Sequence, residues 1–116
     1  LNKINIYVCC DAVKPRTPFG CTLSMIGGTW RLVILYRLVE HEAIRFNELQ
    51  RKIGTIIYKT LSTALKTVEA DGLVIRKEYP QIPSKVEYSL SSKGHSLLLI
   101  MESMCQWGME NSEKSF

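Results

Sequence analysis

Long apolar runs are absent from this 116-residue sequence, and cysteines are few. The longest apolar runs, 32–36 and 97–101, are five residues each. A membrane-spanning helix needs about 18 apolar residues or more. The four cysteines are Cys9, Cys10, Cys21 and Cys105. They form no CxxC pair, so the sequence predicts neither a zinc site nor a disulfide-built secreted domain. No secretory signal pattern precedes the domain, and we expect a cytoplasmic protein that makes no membrane contact.

The sequence also lacks the groups of residues that carry catalysis. Gly27 and Gly28 are without the further glycines and the lysine of a phosphate-binding loop. His41 and His95 are far apart, and neither has a cysteine or a second histidine at metal-ligand spacing. No pair of carboxylates marks a catalytic cleft. We therefore predict a protein that is not an enzyme and that holds no metal or other cofactor.

The composition is that of one ordinary globular domain, because 46% of the residues are hydrophobic and 22% are charged. The net charge of +4 is unevenly distributed along the chain. Residues 45–93 carry nine Lys or Arg against five Asp or Glu, whereas residues 94–116 carry one against three. A basic segment beside an acidic tail favours a face that binds a polyanion.

The first third of the chain is interpreted as an arm and two helices. Residues 1–18 form the N-terminal arm. A short helical pattern from Phe19 to Ile26 ends at Gly27 and Gly28. Thr29 is then expected to cap a second helix, 30–40. Because that helix is apolar on nearly every side, it belongs in the core or at a subunit interface.

Two further helices are predicted after a short basic connection at Ile44 and Arg45. Residues 46–53 carry a helical apolar stripe that ends at Gly54. The next helix, 57–71, has Gly72 as its C-terminal cap. Its predicted buried face is formed by Ile57, Leu61, Ala64, Leu65 and Val68. The period then changes to two, which predicts strands at 73–79 and 86–90 joined by a flexible loop, 80–85.

A last helix is predicted to begin after a cap at Ser91 or Ser92 and to be interrupted by nothing stronger than Gly94. It carries more apolar surface than one buried stripe needs, so part of that surface is expected to face a partner. The tail beyond Gly108 is polar and is expected to fray. The predicted dimer-interface residues are Trp30, Leu97, Ile100, Met101, Met104 and Trp107.

This order of elements predicts a mainly helical fold with a small β-wing, a winged helix-turn-helix. The DNA-binding domain spans 19–91, and 92–116 are the dimerisation helix and tail. Residues 57–71 would be the helix that enters the major groove of double-stranded DNA, because their outer face has no acid before Glu69. The candidate DNA-binding residues are Thr55, Tyr58, Lys59, Ser62, Thr63 and Lys66, followed on the wing by Arg76, Lys77, Gln81, Ser84 and Lys85.

Several blocks of sequence, in this order, resemble the HxlR-type transcriptional regulators of bacteria, which are relatives of the MarR group. The blocks are Ile26-Gly27-Gly28-Thr29-Trp30, Arg45-Phe46-Asn47-Glu48-Leu49, Glu69-Ala70-Asp71-Gly72-Leu73-Val74, Tyr79-Pro80 and Val86-Glu87-Tyr88-Ser89-Leu90. The resemblance spans 17–108. It implies a homodimer, built largely from the terminal helices, that binds an inverted-repeat operator. In some members, an N-terminal cysteine responds to electrophiles or oxidants.

Two residues depart from the family pattern. Thr29 stands where the family often has lysine, and Thr17 stands before Pro18 where the sensing cysteine is common. Threonine cannot form a thiolate, so Cys9, Cys10 or Cys21 would have to replace it in any redox response.

Two alternatives to a simple DNA-binding regulator stay open at this point. One is a ligand- or redox-sensing module whose output is DNA release, with a small-molecule effector held among Met101, Met104 and Trp107. The other is a winged-helix domain that binds a protein instead of DNA.

Overall fold

The computed structural model describes residues 17–113. Most of the predicted N-terminal arm, with Cys9 and Cys10, lies outside these residues. The elements are α1 (Pro18–Ile26), α2 (Arg31–Val39), β1 (Ile44–Arg45), α3 (Phe46–Ile53), α4 (Tyr58–Ala70), β2 (Val74–Tyr79), β3 (Lys85–Leu90), α5 (Ser92–His95) and α6 (Leu98–Asn111). The predicted winged helix-turn-helix fold, mainly helical with a small sheet, is confirmed.

The first two helices begin differently. The side chain of Thr17 accepts a hydrogen bond from the Gly20 amide at 2.9 Å and so caps α1. The predicted Thr29 cap of α2 is wrong, because Trp30 occupies the cap position and makes no side-chain capping bond. Helix α2 begins at Arg31, so Thr29 lies one residue before the cap position, and Gly28 takes a positive φ of 87° in the turn that precedes it.

The entry into α4 also differs from the prediction. Ile57 was expected in the core but is 66% exposed, whereas Ile56 is 4% exposed. Ile57 is the N-cap of α4 and has an extended backbone, so the helical period does not reach back to it. In an extended segment neighbouring side chains point to opposite sides, and Ile56 therefore takes the core position. The Gln50 side-chain amide donates to the Ile56 carbonyl at 3.2 Å and holds this turn against α3.

The end of α4 follows the predicted glycine cap. Gly72 has a φ of 78°, and its amide donates to the Glu69 carbonyl at 2.9 Å. The Leu73 amide donates to the Val68 carbonyl at 3.0 Å. This pair of bonds is a Schellman motif, which ends the helix and turns the chain into β2.

The sheet has a third strand that the sequence did not predict. Its order is β1-β3-β2, and both pairings are antiparallel. Ile44 and Arg45, interpreted from sequence as a connection, pair with Tyr88 and Glu87. Two residues are too few to show a period of two, so this strand depends on its tertiary partner β3.

The predicted single C-terminal helix is divided into α5 and α6. Ser91 caps α5, as one of the two predicted alternatives, because its hydroxyl accepts from the Gly94 amide at 3.0 Å. Gly94 is buried against Leu73, the residue before β2, where an added Cβ would lie 2.2 Å from the Leu73 carbonyl oxygen. The chain turns after this contact, and α6 then continues to Asn111, so the helix ends three residues beyond the predicted limit at Gly108.

The core lies where α2, α3, α4 and the sheet meet. Its buried side chains are Ile34, Leu35, Leu38, Ile44, Leu49, Ile56, Leu61, Leu65, Val68, Leu73, Val74, Leu90 and Met101. The core contribution of α6 is small, because Met101 is its only buried residue among those described. Most of α6 therefore stands clear of the rest of the chain.

No single helix within residues 17–113 has both the length and the apolar character to cross a membrane. Helices α1 and α2 meet that test only when they are taken together, and they are bent by 77° at the break between them.

Candidate nucleic-acid interface

The exposed face of α4 carries the predicted recognition residues. Leu61, Leu65 and Val68 fix the helix against the core. The opposite side presents Tyr58, Lys59, Thr63 and Lys66 to solvent, with Ser62 half-buried beside them. Within this helix the first acidic residue is Glu69, in its last turn. The structure thus brings these predicted residues onto one cationic and hydroxyl-rich surface.

Tyr58 is held at the start of α4 by a ring contact. Its centroid lies 4.7 Å from that of Phe46, with an angle of 49° between the rings. Because Phe46 begins α3, this contact joins the starts of the two helices of the helix-turn-helix. Tyr58 nevertheless remains 65% exposed. Thr55 is exposed in the turn between α3 and α4.

The predicted wing cations lie on opposite faces of the β2–β3 ribbon. Arg76 is opposite Tyr88, and a hydrogen bond to that tyrosine is the largest of the causes that raise the pKa of Arg76. Its guanidinium also lies 3.5 Å from the Glu78 carboxylate. Lys77 points to the other face, because side chains alternate along a strand. Arg76 is thus separated from the other two predicted cations of the wing.

The second face of the ribbon holds a group that we call the Tyr79 cluster: Lys77, Tyr79, Lys85 and Glu87. The two ammonium groups lie 4.9 and 4.7 Å from the centroid of the Tyr79 ring. The Tyr79 hydroxyl donates to Glu87 Oε1 at 3.1 Å, and Lys85 Nζ lies 3.2 Å from Glu87 Oε2. Tyr79 and Glu87 were not among the predicted site residues, because the strand register, which no local sequence pattern shows, places Tyr79 opposite Lys85 and Glu87 opposite Lys77.

The carboxylate in this cluster is stabilised in its charged form. The Lys85 hydrogen bond lowers the pKa of Glu87 most, followed by the Tyr79 hydrogen bond and by the charges of Lys85 and Arg45. Partial burial opposes them. Glu87 therefore offsets part of the positive charge of the wing, and Lys85 is less available to DNA than its sequence position suggests. Gln81 and Ser84 are exposed in the loop between the strands.

The predicted dimer residues fall into two groups. Trp30, Leu97 and Met101 pack within the chain, and Met101 is 3% exposed. Ile100, Met104 and Trp107 are exposed on α6. They continue an apolar surface that also includes Val33, Tyr36, Leu99 and Met109. This surface is named here the α2–α6 face.

A groove of about 440 Å³ lies in the α2–α6 face. It is lined by Leu32, Val33, Tyr36, Arg37, Met101, Met104 and Cys105. Cys105 is an exposed free thiol in contact with Tyr36, and their hydrogen bond is the largest of the causes that raise the pKa of the Tyr36 phenol. Of the cysteines predicted as redox candidates, Cys21 lies half-buried on α1.

Metal binding receives no support from the part of the chain that the structure describes. Within residues 17–113 no three His, Cys, Asp or Glu side chains are grouped so that they could hold a metal ion.

Comparisons with known proteins give consistent matches. The model of the family described as HxlR-like helix-turn-helix matches residues 25–116. An uncharacterized HTH-type transcriptional regulator of Halalkalibacterium halodurans is 64% identical over 95 residues, covering 82% of this chain and 84% of that protein. The solved structure of the redox regulator HypR in its reduced form has a TM-score of 0.79 and 39% identity, covering 84% of this chain and 95% of that one. The solved structure of the transcriptional regulator YodB from Bacillus subtilis, in its reduced form, has a TM-score of 0.72 and 30% identity. The match covers 83% of this chain and 93% of that one.

Proposed function

Because the chain belongs to the HxlR-like helix-turn-helix family of DNA-binding transcriptional regulators, we propose that it acts as a homodimer on an inverted-repeat operator. The observation that carries this proposal is the outer face of α4, where two lysines and three hydroxyl-bearing side chains precede the first acid. A helix with this surface fits the major groove of double-stranded DNA. We place its action in the cytoplasm, where the chromosomal DNA of bacteria lies.

We assign different tasks to the residues of α4. Lys59 and Lys66 are exposed point charges, and they would contact phosphates. Tyr58, Ser62 and Thr63 are uncharged hydrogen-bonding groups, and they would read base edges. On the wing, Lys77 would lie along the DNA backbone, and Lys85 would contribute less because Glu87 partly neutralises it.

The α2–α6 face supports the homodimer. Ile100, Met104 and Trp107 expose large apolar surfaces on a helix that contributes little to its own core. Such a patch is typical of a protein interface. In a two-fold dimer the recognition helices would be separated by about one DNA turn, roughly 34 Å.

The experiment is selection of bound fragments from the source organism's sheared genomic DNA, with reduced protein at near-physiological salt. Enrichment of one inverted repeat, together with a dimer by sedimentation equilibrium, is the expected result. A Met104→Glu variant should sediment as a monomer and lose affinity for the repeat, since it puts a charge into the apolar face. A folded wild-type protein that enriches no sequence would contradict the proposal.

A second candidate function, an effector-responsive regulator, is favoured by the groove in the α2–α6 face. Its apolar lining and its two methionines suit a small hydrophobic molecule. Because the groove lies within the proposed dimer interface, an occupant would change the spacing of the recognition helices. Thermal-shift measurements with hydrophobic and quinone-like compounds test it. A stabilising compound that also releases DNA would support it, and stabilisation by none would contradict it.

A further inference from the structure

A second groove, of about 370 Å³, lies between the turn that precedes α2 and the middle of α4. We call it the turn groove. Its lining includes the cations Arg31 and Lys59 and the hydroxyl groups of Thr29, Thr63 and Thr67, and none of the residues that line it is acidic. The Thr67 hydroxyl already donates to the Thr63 carbonyl at 3.1 Å. The two cations, beside the hydroxyl groups of Thr29 and Thr63 and without a carboxylate, are suited to a phosphate group.

The turn groove continues the recognition surface of α4. Lys59, Thr63 and Thr67 follow one another at intervals of four residues, so they form one row along the helix. Tyr58 and Ser62 form a neighbouring row, on the side of Phe46 and α3. The row that begins at Lys59 therefore faces α2. A DNA strand bordering a major groove occupied by α4 would pass over this row.

Arg31 is already positioned for such a contact. Its Nη1 group donates to the Ser24 carbonyl, which ties the guanidinium to the end of α1. A guanidinium has five N–H donors, so this bond leaves it able to bind a phosphate oxygen. Thr29 is exposed at the rim of the same groove, with its neighbour Gly28 supplying the positive φ that shapes the turn.

We propose that the turn groove is a phosphodiester-binding site, in which Thr29, Arg31 and Lys59 hold the DNA backbone on the α2 side of α4. The inference rests on the proposed DNA-binding function and extends it. The turn before α2 was not among the DNA-binding residues predicted from sequence, and it becomes part of the proposed DNA interface. The wing and the turn would then contact the two DNA strands that border one major groove.

Substitutions at position 29 can either weaken or strengthen the binding of a phosphate in the turn groove. Thr29→Glu adds a negative charge to the groove, and Thr29→Lys adds a positive one. Neither change should prevent folding, because the side chain is exposed and an acid near a helix start is favourable to the helix. Ser92→Glu is the matched control, since Ser92 is also exposed at a helix start but lies on α5, beyond the C-terminal end of α4.

Affinities are measured over a series of salt concentrations with two duplexes of equal length, the sequence enriched from genomic DNA and a scrambled version. We expect Thr29→Glu to weaken both by a similar factor, about tenfold to a hundredfold, as for loss of a hydrogen bond to a charged group. Thr29→Lys should tighten both and steepen the plot of log K against log salt by about 0.9 per added phosphate contact. Ser92→Glu should match the wild type.

The outcomes separate this inference from the proposed function. If the wild type binds its enriched sequence and both Thr29 variants bind the two duplexes as the wild type does, the turn groove holds no phosphate and the inference is wrong. An effect of Thr29→Glu on the enriched sequence alone would also overturn it, because a backbone contact acts on any sequence. Failure of the folded wild type to bind either duplex would overturn both proposals.

Discussion

The aromatic ring of Tyr58 packs on the ring of Phe46 with 4.7 Å between their centroids, and this contact joins the first residue of α4 to the first residue of α3. The tyrosine is thereby fixed at the end of the recognition helix where side chains reach deepest into the major groove in helix-turn-helix complexes. The role that we propose for Tyr58 in DNA binding can be separated from its role in packing by substitution.

Replacing Tyr58 by phenylalanine keeps the ring contact and removes the hydroxyl. We expect Tyr58→Phe to leave the free energy of unfolding within about 0.5 kcal/mol of the wild type, as is usual for surface changes. It should lower the preference for the enriched operator over a scrambled duplex. Tyr58→Ala should additionally lose about 0.5–1.5 kcal/mol of stability, the contribution of an aromatic pair. Urea denaturation and binding titrations measure the two effects, and an unchanged preference in Tyr58→Phe would contradict the base-reading role.

Ser62 and Lys66 should affect DNA binding in different ways. Lys66→Ala removes a phosphate contact, so it should weaken binding to all duplexes and reduce the salt slope by about 0.9. Ser62→Ala removes a group assigned to the base edges, so it should change the sequence preference and leave the salt slope intact. Anisotropy titrations with operator and scrambled duplexes test both variants. Equal effects of the two substitutions on both duplexes would refute this division of roles.

We expect the position of Gly94 to tolerate no larger residue. An added Cβ would lie 2.2 Å from the Leu73 carbonyl oxygen, so α5 and the turn before β2 would have to separate. We expect Gly94→Ala to destabilise the fold by about 1–3 kcal/mol, as overpacking does. The matched control is Gly108→Ala in α6, where an added Cβ meets nothing within 4 Å and helix propensity should add about 0.5–1 kcal/mol. The free energies of unfolding are measured by urea denaturation. Equal values for Gly94→Ala and Gly108→Ala would contradict the predicted clash.

Glu87 should make stability depend on pH in the acid range. Its pKa in the folded protein is lowered, chiefly by Lys85, so its ionised form favours the folded state. This contribution is present above the unfolded pKa, about 4.3, and is lost as the pH falls through the lower folded value. We expect Glu87→Gln to flatten the fall of Tm below about pH 5.

A direct check is an NMR titration of the Glu87 carboxyl in the wild type and in Lys85→Met. Removing the ammonium partner should raise the pKa of Glu87 toward its ordinary value. Identical titration curves would show that Lys85 does not hold the carboxylate.

Local sequence signals were sufficient to predict the bounds of several elements. The predicted helix at 46–53 has the bounds of α3, because an apolar stripe of helical period ends at a glycine that takes a φ of 89°. The glycine cap of α4 was predicted for the same reason. The family resemblance added the HxlR identity, which the comparisons confirmed.

Other features needed partners distant in sequence. Ile56 and Ile57 are both apolar, and only the extended entry into α4 shows which of them is buried. Strand β1 exists through its pairing with β3, and the break between α5 and α6 follows the contact of Gly94 with Leu73.

The sequence by itself determined the order of helices α1 to α4 and of the two wing strands, the cationic outer face of α4 and the apolar excess on the last helix, because each depends on periodicity within one segment. Only the tertiary structure decided how the charges are grouped. It paired Glu87 with Lys85 and Tyr79, turned Arg76 to the opposite face of the wing, and brought Thr29 and Arg31 beside Lys59. Such groupings join separate elements, and their distances are set by packing and strand register, which no local pattern records.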